Sequence, residues 1–204
     1  MKLENHEREI AVAIVEGLVE YGMVNFLTSR DVHNWFRDNG LRELGFCVSG
    51  GVTKVCIIHE DLDWVIKVGY VNCSKDYASL EYQNYCLAEE EGLDWYFPTT
   101  IYLGEFGGLA FYLQEMADCD EFQVASDWYE RLRDSYEEDE EEYNEEELWD
   151  EIYDMEDDAK AYLTFRNRTL CDFLYNRRIN DLHEGNFGYI GDRMVIIDFS
   201  GYAG

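Results

Sequence analysis

The chain has 204 residues, and its 45 acidic residues against 16 Lys and Arg give a formal net charge of −29. That charge opposes binding to nucleic acid or to anionic membrane surfaces, and an apolar content of 47% argues against a disordered chain. No apolar run approaches the ~20 residues of a membrane span, and the six cysteines, none in a C-x-x-C pair, predict reduced thiols in a cytoplasmic protein.

The first 40 residues predict a helical leader that packs on the rest of the chain. Residues 5–27 have the apolar spacing of an amphipathic helix. Its apolar face is formed by Ile10, Ile14 and Leu18. A second, shorter helix is predicted to begin with Thr28 as its N-cap and to end at Gly40. The N-terminus has early acids and no apolar core, so we expect no signal peptide.

Residues 41–116 change to a β-rich pattern and predict a sheet with one helix. The order along the chain is three strands, a helix over residues 75–91, and two further strands. The predicted strands are 46–48, 55–58, 64–68, 99–103 and 109–115. Glycines at 50 and 51 separate the first two strands, and the segment Gly104–Gly108 is expected to turn the fourth strand into the fifth.

Residues 117–204 are predicted to be mainly helical before a short C-terminal hairpin. Helices are expected over residues 121–134 and 145–176, and the hairpin strands 187–190 and 194–197 are joined by Gly191 and Asp192. Residues 137–158 hold 15 acids and no base. This acidic segment is either a solvated helix face or disordered insert, or a docking surface for a basic partner.

Three polar residues flank the predicted hairpin and carry the strongest chemical signal in the chain. Asp181 precedes the hairpin, Asn186 opens its first strand, and Asp198 follows its second strand. Two loops at one end of a hairpin bring these side chains together. A carboxylate that positions a hydroxyl, with an amide and a carboxylate that hold magnesium, is what metal-dependent phosphoryl transfer requires.

A lysine in the third strand and a glycine turn add a second candidate region. Lys67 lies among the apolar neighbours of residues 65–68, where an ammonium group is costly unless it finds a partner. Glu81 on the following helix is the best candidate for that partner. The turn at Gly50 and Gly51 could cover phosphate groups with its backbone N–H groups.

Taken together, these residues resemble the protein-kinase-like fold, and most closely the short serine/threonine protein kinases of tailed bacteriophages. The resemblance covers roughly residues 43–204. It implies an α+β, two-lobed fold with a five-stranded antiparallel N-lobe sheet, helix C and a reduced helical C-lobe. The implied division is a leader (1–40), an N-lobe (41–116) and a truncated C-lobe (117–204) that includes the acidic segment.

The resemblance also implies roles for individual residues, with ATP and Mg²⁺ as cofactors. The catalytic set is Asp181, Lys67 and Glu81. The ATP-binding set is Gly50, Gly51, Lys67, Glu115 and Ala117, the last two at the hinge that meets adenine. The metal ligands are Asn186 and Asp198. Mg-ATP would lie between the lobes, and the acceptor would be a Ser or Thr of a host protein.

The chain departs from that family in ways that keep two other functions open. Val48 and Thr53 stand where flanking glycines would be, Ser200 replaces the glycine of Asp-Phe-Gly, and no activation segment follows. One alternative is a pseudokinase-like acidic protein that blocks a basic protein partner. The other is a phosphotransferase acting on small hydroxyl compounds.

Overall fold

The computed structural model describes residues 3–23, 28–119, 168–179, 181–182 and 184–201. The chain divides into two compact units, which are described separately below. The sheet unit comprises Met1–Leu87 and Pro98–Met116, and the hairpin unit comprises Ala88–Phe97 and Ala117–Gly204. Within the described residues, no helix has both the length and the apolar character needed to cross a membrane.

Two helices open the sheet unit. Helix α1 spans Asn5–Glu20 and helix α2 spans Ser29–Asp38. The predicted cap of α2 is confirmed, because the Thr28 side chain accepts a hydrogen bond from the Asp31 N–H. Helix α1 ends seven residues earlier than predicted, and residues 24–27 lie outside the described residues.

The buried face of α1 agrees with the predicted one in part. Leu18 is buried as predicted, but the other buried positions are Ala11 and Val15, whereas Ile10 and Ile14 are only partly buried beside them. These residues belong to the same apolar core as one face of the sheet. Two hydrogen bonds add to this packing, from Trp64 Nε1 to the Glu7 carboxylate and from the Arg8 guanidinium to Leu103 O.

The sheet has five strands in the order β1-β2-β3-β5-β4, and every neighbouring pair is antiparallel. The strands are β1 Phe46–Gly50, β2 Lys54–His59, β3 Trp64–Gly69, β4 Thr100–Phe106 and β5 Leu109–Glu115. Helix α3, Tyr77–Glu90, lies between β3 and β4 in the sequence. The predicted α+β class and five-stranded antiparallel sheet are therefore confirmed.

The turn between β4 and β5 is shorter than predicted. Strand β4 continues to Phe106, and Gly104 marks an irregularity in its pairing with β5 instead of beginning the turn. Gly107 and Gly108 have φ angles of 59° and 81°. Positive φ at both central residues is the geometry of a tight two-residue hairpin turn, and glycine adopts it without steric cost.

The hairpin unit is built from short elements. Helix α4 spans Arg168–Arg177, and strands β6 Phe187–Ile190 and β7 Arg193–Ile196 form the predicted hairpin. Arg193 ties the hairpin to a short helical turn, because its guanidinium donates to the carbonyls of Asp94, Trp95 and Phe97. The predicted helix at 121–134, most of that at 145–176, and the acidic segment lie outside the described residues.

Candidate functional site

Lys67 and Glu81 form a buried ion pair in the sheet unit. Lys67 Nζ lies 2.9 Å from Glu81 Oε2, and the side chains are 5% and 0% exposed. The pairing predicted for this lysine is therefore found. A buried charge is tolerated when a partner and hydrogen bonds compensate its lost hydration, so each residue depends strongly on the other.

The alternation of β3 determines which face carries this pair. Trp64, Ile66 and Val68 point into the core shared with α1, so Lys67 points to the opposite face. Tyr112 of β5 lies opposite Lys67, and its ring contacts Tyr82 of α3 at a centroid distance of 5.6 Å. This packing holds α3 against the face that carries Lys67, and Glu81 precedes Tyr82 on the helix.

Lys54 joins the same carboxylate and was missed by the sequence analysis. Its Nζ lies 3.4 Å from Glu81 Oε1, and its side chain is 5% exposed. Lys54 is the first residue of β2, and Cys56 pairs with Lys67 across the ladder. Side chains two residues apart share a face of a strand, so Lys54 and Lys67 point the same way. Only the strand register reveals this placement.

The glycine turn is held in place from outside the hairpin. Ser29 at the start of α2 donates its hydroxyl hydrogen to Gly50 O, and the Tyr70 hydroxyl donates to Gly51 O. A Cβ at Gly50 would lie 2.6 Å from Ser29 Oγ and 2.7 Å from the Tyr70 hydroxyl. Close packing alone therefore explains the glycine at position 50.

The backbone of this turn and the Tyr70 hydroxyl that contacts it both have hydrogen-bond partners. Gly51 N–H donates to Lys54 O and closes the hairpin, while Val52 at the tip is exposed. Burial raises the pKa of the Tyr70 phenol. The phenol stays protonated at neutral pH and keeps its hydrogen to donate.

The predicted hinge residues are divided between the units. Glu115 ends β5 in the sheet unit, and its buried carboxylate accepts a hydrogen bond from the Thr99 hydroxyl at 2.9 Å. Glu115 N–H donates to Thr99 O, and Met116 N–H donates to Asp63 O. Ala117 is the first residue of the second stretch of the hairpin unit. The side chain of Glu115 thus has a structural partner of its own.

In the hairpin unit, Asn186 is hydrogen-bonded to Asp181 and to the residue that precedes Asp198. Asn186 Nδ2 donates to Asp181 O at 2.6 Å, and Ile197 N–H donates to Asn186 O at 2.9 Å. The buried Asn186 therefore links the loop before the hairpin to the residue that precedes Asp198. Of the three predicted residues, Asp181 and Asn186 are therefore in direct contact, and Asp198 is the next residue along the chain after Ile197.

The segment after Asp198 is fixed by packing and by one glycine. Phe199 is fully buried and its ring lies 4.8 Å from that of Phe97. Ser200 donates its hydroxyl hydrogen to Asp198 Oδ1 at 3.3 Å. Gly201 has a φ of 72°, and a Cβ there would lie 2.5 Å from Arg177 O. This position requires glycine for its conformation and for its space.

The loop that carries Asp181 begins with a strained residue. Arg178 follows α4 with a φ of 57°, the only positive φ among the described non-glycine residues. Ile179 N–H donates to Leu174 O, and Arg178 N–H donates to Tyr175 O. These bonds close the helix end in the arrangement that usually has glycine at this position. The buried Ile179 then anchors the loop, and Asp181 is exposed.

The donors of the hairpin unit suit a hard divalent cation. Asn186 uses its amide nitrogen for Asp181 O, so Oδ1 is the atom that it would offer to a cation, and Asp198 would offer a carboxylate. Mg²⁺ prefers oxygen ligands and keeps waters or phosphate oxygens in its other positions. Two protein donors are therefore a sufficient set. Among the described residues there is no cluster of three or more His, Cys, Asp or Glu side chains that would hold another kind of metal.

A cavity in the sheet unit lies apart from the predicted residues. It has a volume of about 340 Å³ and reaches from the end of β3 to the turn between β4 and β5. Its charged lining residues are Lys75, Asp76 and Glu105. None of the predicted site residues lines it. Its mixture of charges does not indicate a ligand, so we assign it no function.

Comparison with protein-family models, with curated proteins and with solved structures finds no match to this chain. The assignment of function therefore depends on the residues and their geometry alone.

Proposed function

We propose that this chain is an Mg-ATP-dependent protein kinase with a protein-kinase-like fold, transferring phosphate to Ser or Thr of protein substrates. The observation that carries the proposal is that Asn186 is bonded both to Asp181 O and to the N–H of Ile197, the residue before Asp198. These neighbouring segments contribute an exposed carboxylate, an amide and a second carboxylate, which are the groups that phosphoryl transfer with magnesium uses.

The sheet unit supplies the second support. Lys67 is buried and hydrogen-bonded to Glu81, on an antiparallel sheet of five strands with one helix after β3. We propose that Lys67 binds phosphate oxygens of ATP and that Glu81 holds its ammonium in position.

The proposed roles account for each atom in the transfer. The acceptor hydroxyl oxygen forms a bond to the γ-phosphorus of ATP, the bond from that phosphorus to the bridging oxygen breaks, and ADP leaves. Asp181 orients the hydroxyl and accepts its proton. Asn186 and Asp198 would hold Mg²⁺, which neutralises charge on the phosphate oxygens when bound. Catalysis of this kind consists mainly of positioning and charge stabilisation.

The direct test is phosphate transfer from radiolabelled ATP to a basic acceptor such as histone and an acidic one such as casein. Removing a positioned proton acceptor costs about 10²–10⁴-fold in rate, so Asp181→Asn should abolish most transfer. Asp198→Asn should also abolish most transfer, because it removes a proposed Mg²⁺ ligand. Asp192→Asn, an exposed aspartate in the turn of the same hairpin, is the matched control and should behave as wild type. Transfer that survives both site substitutions would refute the assignment.

One sequence observation supports a second function. The acidic segment 137–158 holds 15 acids and no base, which suits a pseudokinase-like protein that blocks a basic partner. That function predicts a salt-sensitive complex, lost on deletion of the segment and unaffected by Asp198→Asn. A kinase would instead lose its activity in Asp198→Asn and keep it when the acidic segment is deleted. Screening small hydroxyl compounds as acceptors separates both from a small-molecule phosphotransferase.

A further inference from the structure

The buried cluster on α3 contains two lysines, whereas the proposed site uses one. Lys54 and Lys67 approach opposite oxygens of the Glu81 carboxylate, at 3.4 Å and 2.9 Å. Both lysines are almost fully buried, and Glu81 is completely buried. Long cationic side chains normally extend to water. Two buried lysines that contact one buried carboxylate are therefore an unusual arrangement that calls for an explanation.

We propose that Lys54 is a second phosphate-binding lysine that contacts the same nucleotide as Lys67. This inference rests on the proposed function and adds a residue from β2 to its ATP site. Because both ammonium groups touch one carboxylate, any phosphate group that reaches Lys67 is also close to Lys54.

The glycine turn gives an independent reason for a second lysine. Gly51 N–H is bonded to Lys54 O, and the carbonyls of Gly50 and Gly51 accept hydrogen bonds from side chains of the sheet unit. A turn held in this way has less freedom to fold over phosphate groups. Lys54 is the first strand residue after that turn. It therefore places a positive charge at the base of the turn.

The two lysine contacts to Glu81 also differ in length. The Lys67 contact at 2.9 Å is a hydrogen bond within the usual range, and the Lys54 contact is longer by 0.5 Å. The closer contact therefore assigns to Lys67 the role of holding Glu81 in place.

A reactive ATP analogue tests the proposal directly. An acyl phosphate of ATP transfers its acyl group to a lysine amine beside the phosphates: the amine attacks the acyl carbon and ATP leaves. Mass spectrometry of the labelled wild-type chain should find acyl groups on Lys54 and Lys67, both suppressed by excess Mg-ATP. Lys75, an exposed lysine of the same unit, is the control and should react without protection.

The labelling pattern distinguishes failure of the Lys54 proposal from failure of the proposed function. Protected labelling of Lys67 without Lys54 would overturn this inference and leave the proposed function standing. Protected labelling of neither lysine would overturn both. Labelling of Lys54 that persists in Lys67→Met shows that Lys54 meets the phosphates by itself, whereas its loss in that variant would reduce Lys54 to a positioning residue and overturn the inference.

An affinity series provides a second readout. Lys54→Met keeps the length of the side chain and leaves Glu81 paired with Lys67. Loss of a charged hydrogen bond predicts Mg-ATP binding weaker by about 10-fold or more, with adenosine binding within about 2-fold of wild type. An equal loss for both ligands would indicate a distorted site and would contradict a phosphate contact.

Discussion

The two candidate regions are held together by different physical means. In the sheet unit, Lys67, Glu81 and Lys54 are side chains from three elements that meet in a buried place. In the hairpin unit, the loop carrying Asp181 and the turn carrying Asp198 are joined through the main chain and amide of Asn186. One region depends on charge pairing, and the other depends on backbone conformation.

This difference indicates which substitutions each region tolerates. Removing one charge from the sheet cluster leaves another charge buried with a changed set of partners, which is costly. Adding a single methyl group to the hairpin region can disturb it without changing any charge, because its turns have positive φ angles and close backbone contacts. The predictions below test that contrast, from the largest expected effect to the smallest.

Glu81→Ala should give the largest loss of stability. It removes the carboxylate that two buried ammonium groups share, and breaking a buried ion pair costs about 3–5 kcal/mol. Urea unfolding followed by circular dichroism measures the change. Glu90→Ala, an exposed glutamate near the end of the same helix, is the control and should change little. A loss below about 1 kcal/mol for Glu81→Ala would show that the cluster is not held by charge pairing.

Gly201→Ala should give the next largest effect. The new methyl group would meet Arg177 O at 2.5 Å and would also force a non-glycine residue to a φ of 72°. Gly191 has a φ of 61° but no atom within 4 Å of its Cβ position. Gly191→Ala therefore measures only the cost of placing a non-glycine residue at a positive φ, which is about 1 kcal/mol. Gly201→Ala adds the close contact and should cost about 2–4 kcal/mol. Equal losses in thermal unfolding would refute the close contact.

Gly50→Ala tests the contact between α2 and the glycine turn. Its methyl group would displace the Ser29 and Tyr70 hydroxyls, which can move, so we expect a loss of about 1–2 kcal/mol. Gly51→Ala has nothing within 4 Å of the new Cβ and is the matched control, with a change within about 0.5 kcal/mol. The reverse order would mean that Ser29 and Tyr70 do not hold the turn.

Arg178→Gly should give the smallest effect, and a favourable one. Arg178 has a φ of 57°, and glycine at this position relieves about 1 kcal/mol of backbone strain in the folded state. Part of that gain is lost because glycine gives the unfolded chain more conformational entropy. We expect a net stabilisation of about 0.5 kcal/mol. Arg177→Gly, one residue earlier inside α4, should instead destabilise by about 1 kcal/mol. Destabilisation by both would contradict the strained helix end.

The sequence predicted what depends on local patterns and missed what depends on register. The five strands, the cap at Thr28 and the pairing of Lys67 with Glu81 follow from apolar runs, capping chemistry and the cost of a buried charge. Lys54 was missed because its face is decided by its pairing with β3. The packing reason for Gly50 was missed as well, since Ser29 lies 21 residues away in the sequence.

The end of β4 and the buried face of α1 also depend on tertiary contacts that the sequence pattern does not show. The turn after β4 was placed too early, because Gly104 resembles a turn residue in the sequence but is an irregularity within the strand. The apolar face of α1 is predicted correctly at Leu18 but not at Ala11 and Val15, since several neighbouring residues of that helix are apolar and only packing on the sheet selects among them. Tertiary contacts decided both cases.

The measurement that tests the central claim most directly is the effect of Mg-ATP on the unfolding of the whole chain. A ligand that binds only the native state stabilises it by about 2.7 kcal/mol at a hundredfold excess over its dissociation constant. We predict this gain for wild type with Mg-ATP, and a much smaller gain in Lys67→Met and in Asp198→Asn at the same concentration. No gain in wild type, or an undiminished gain in both variants, would contradict the account.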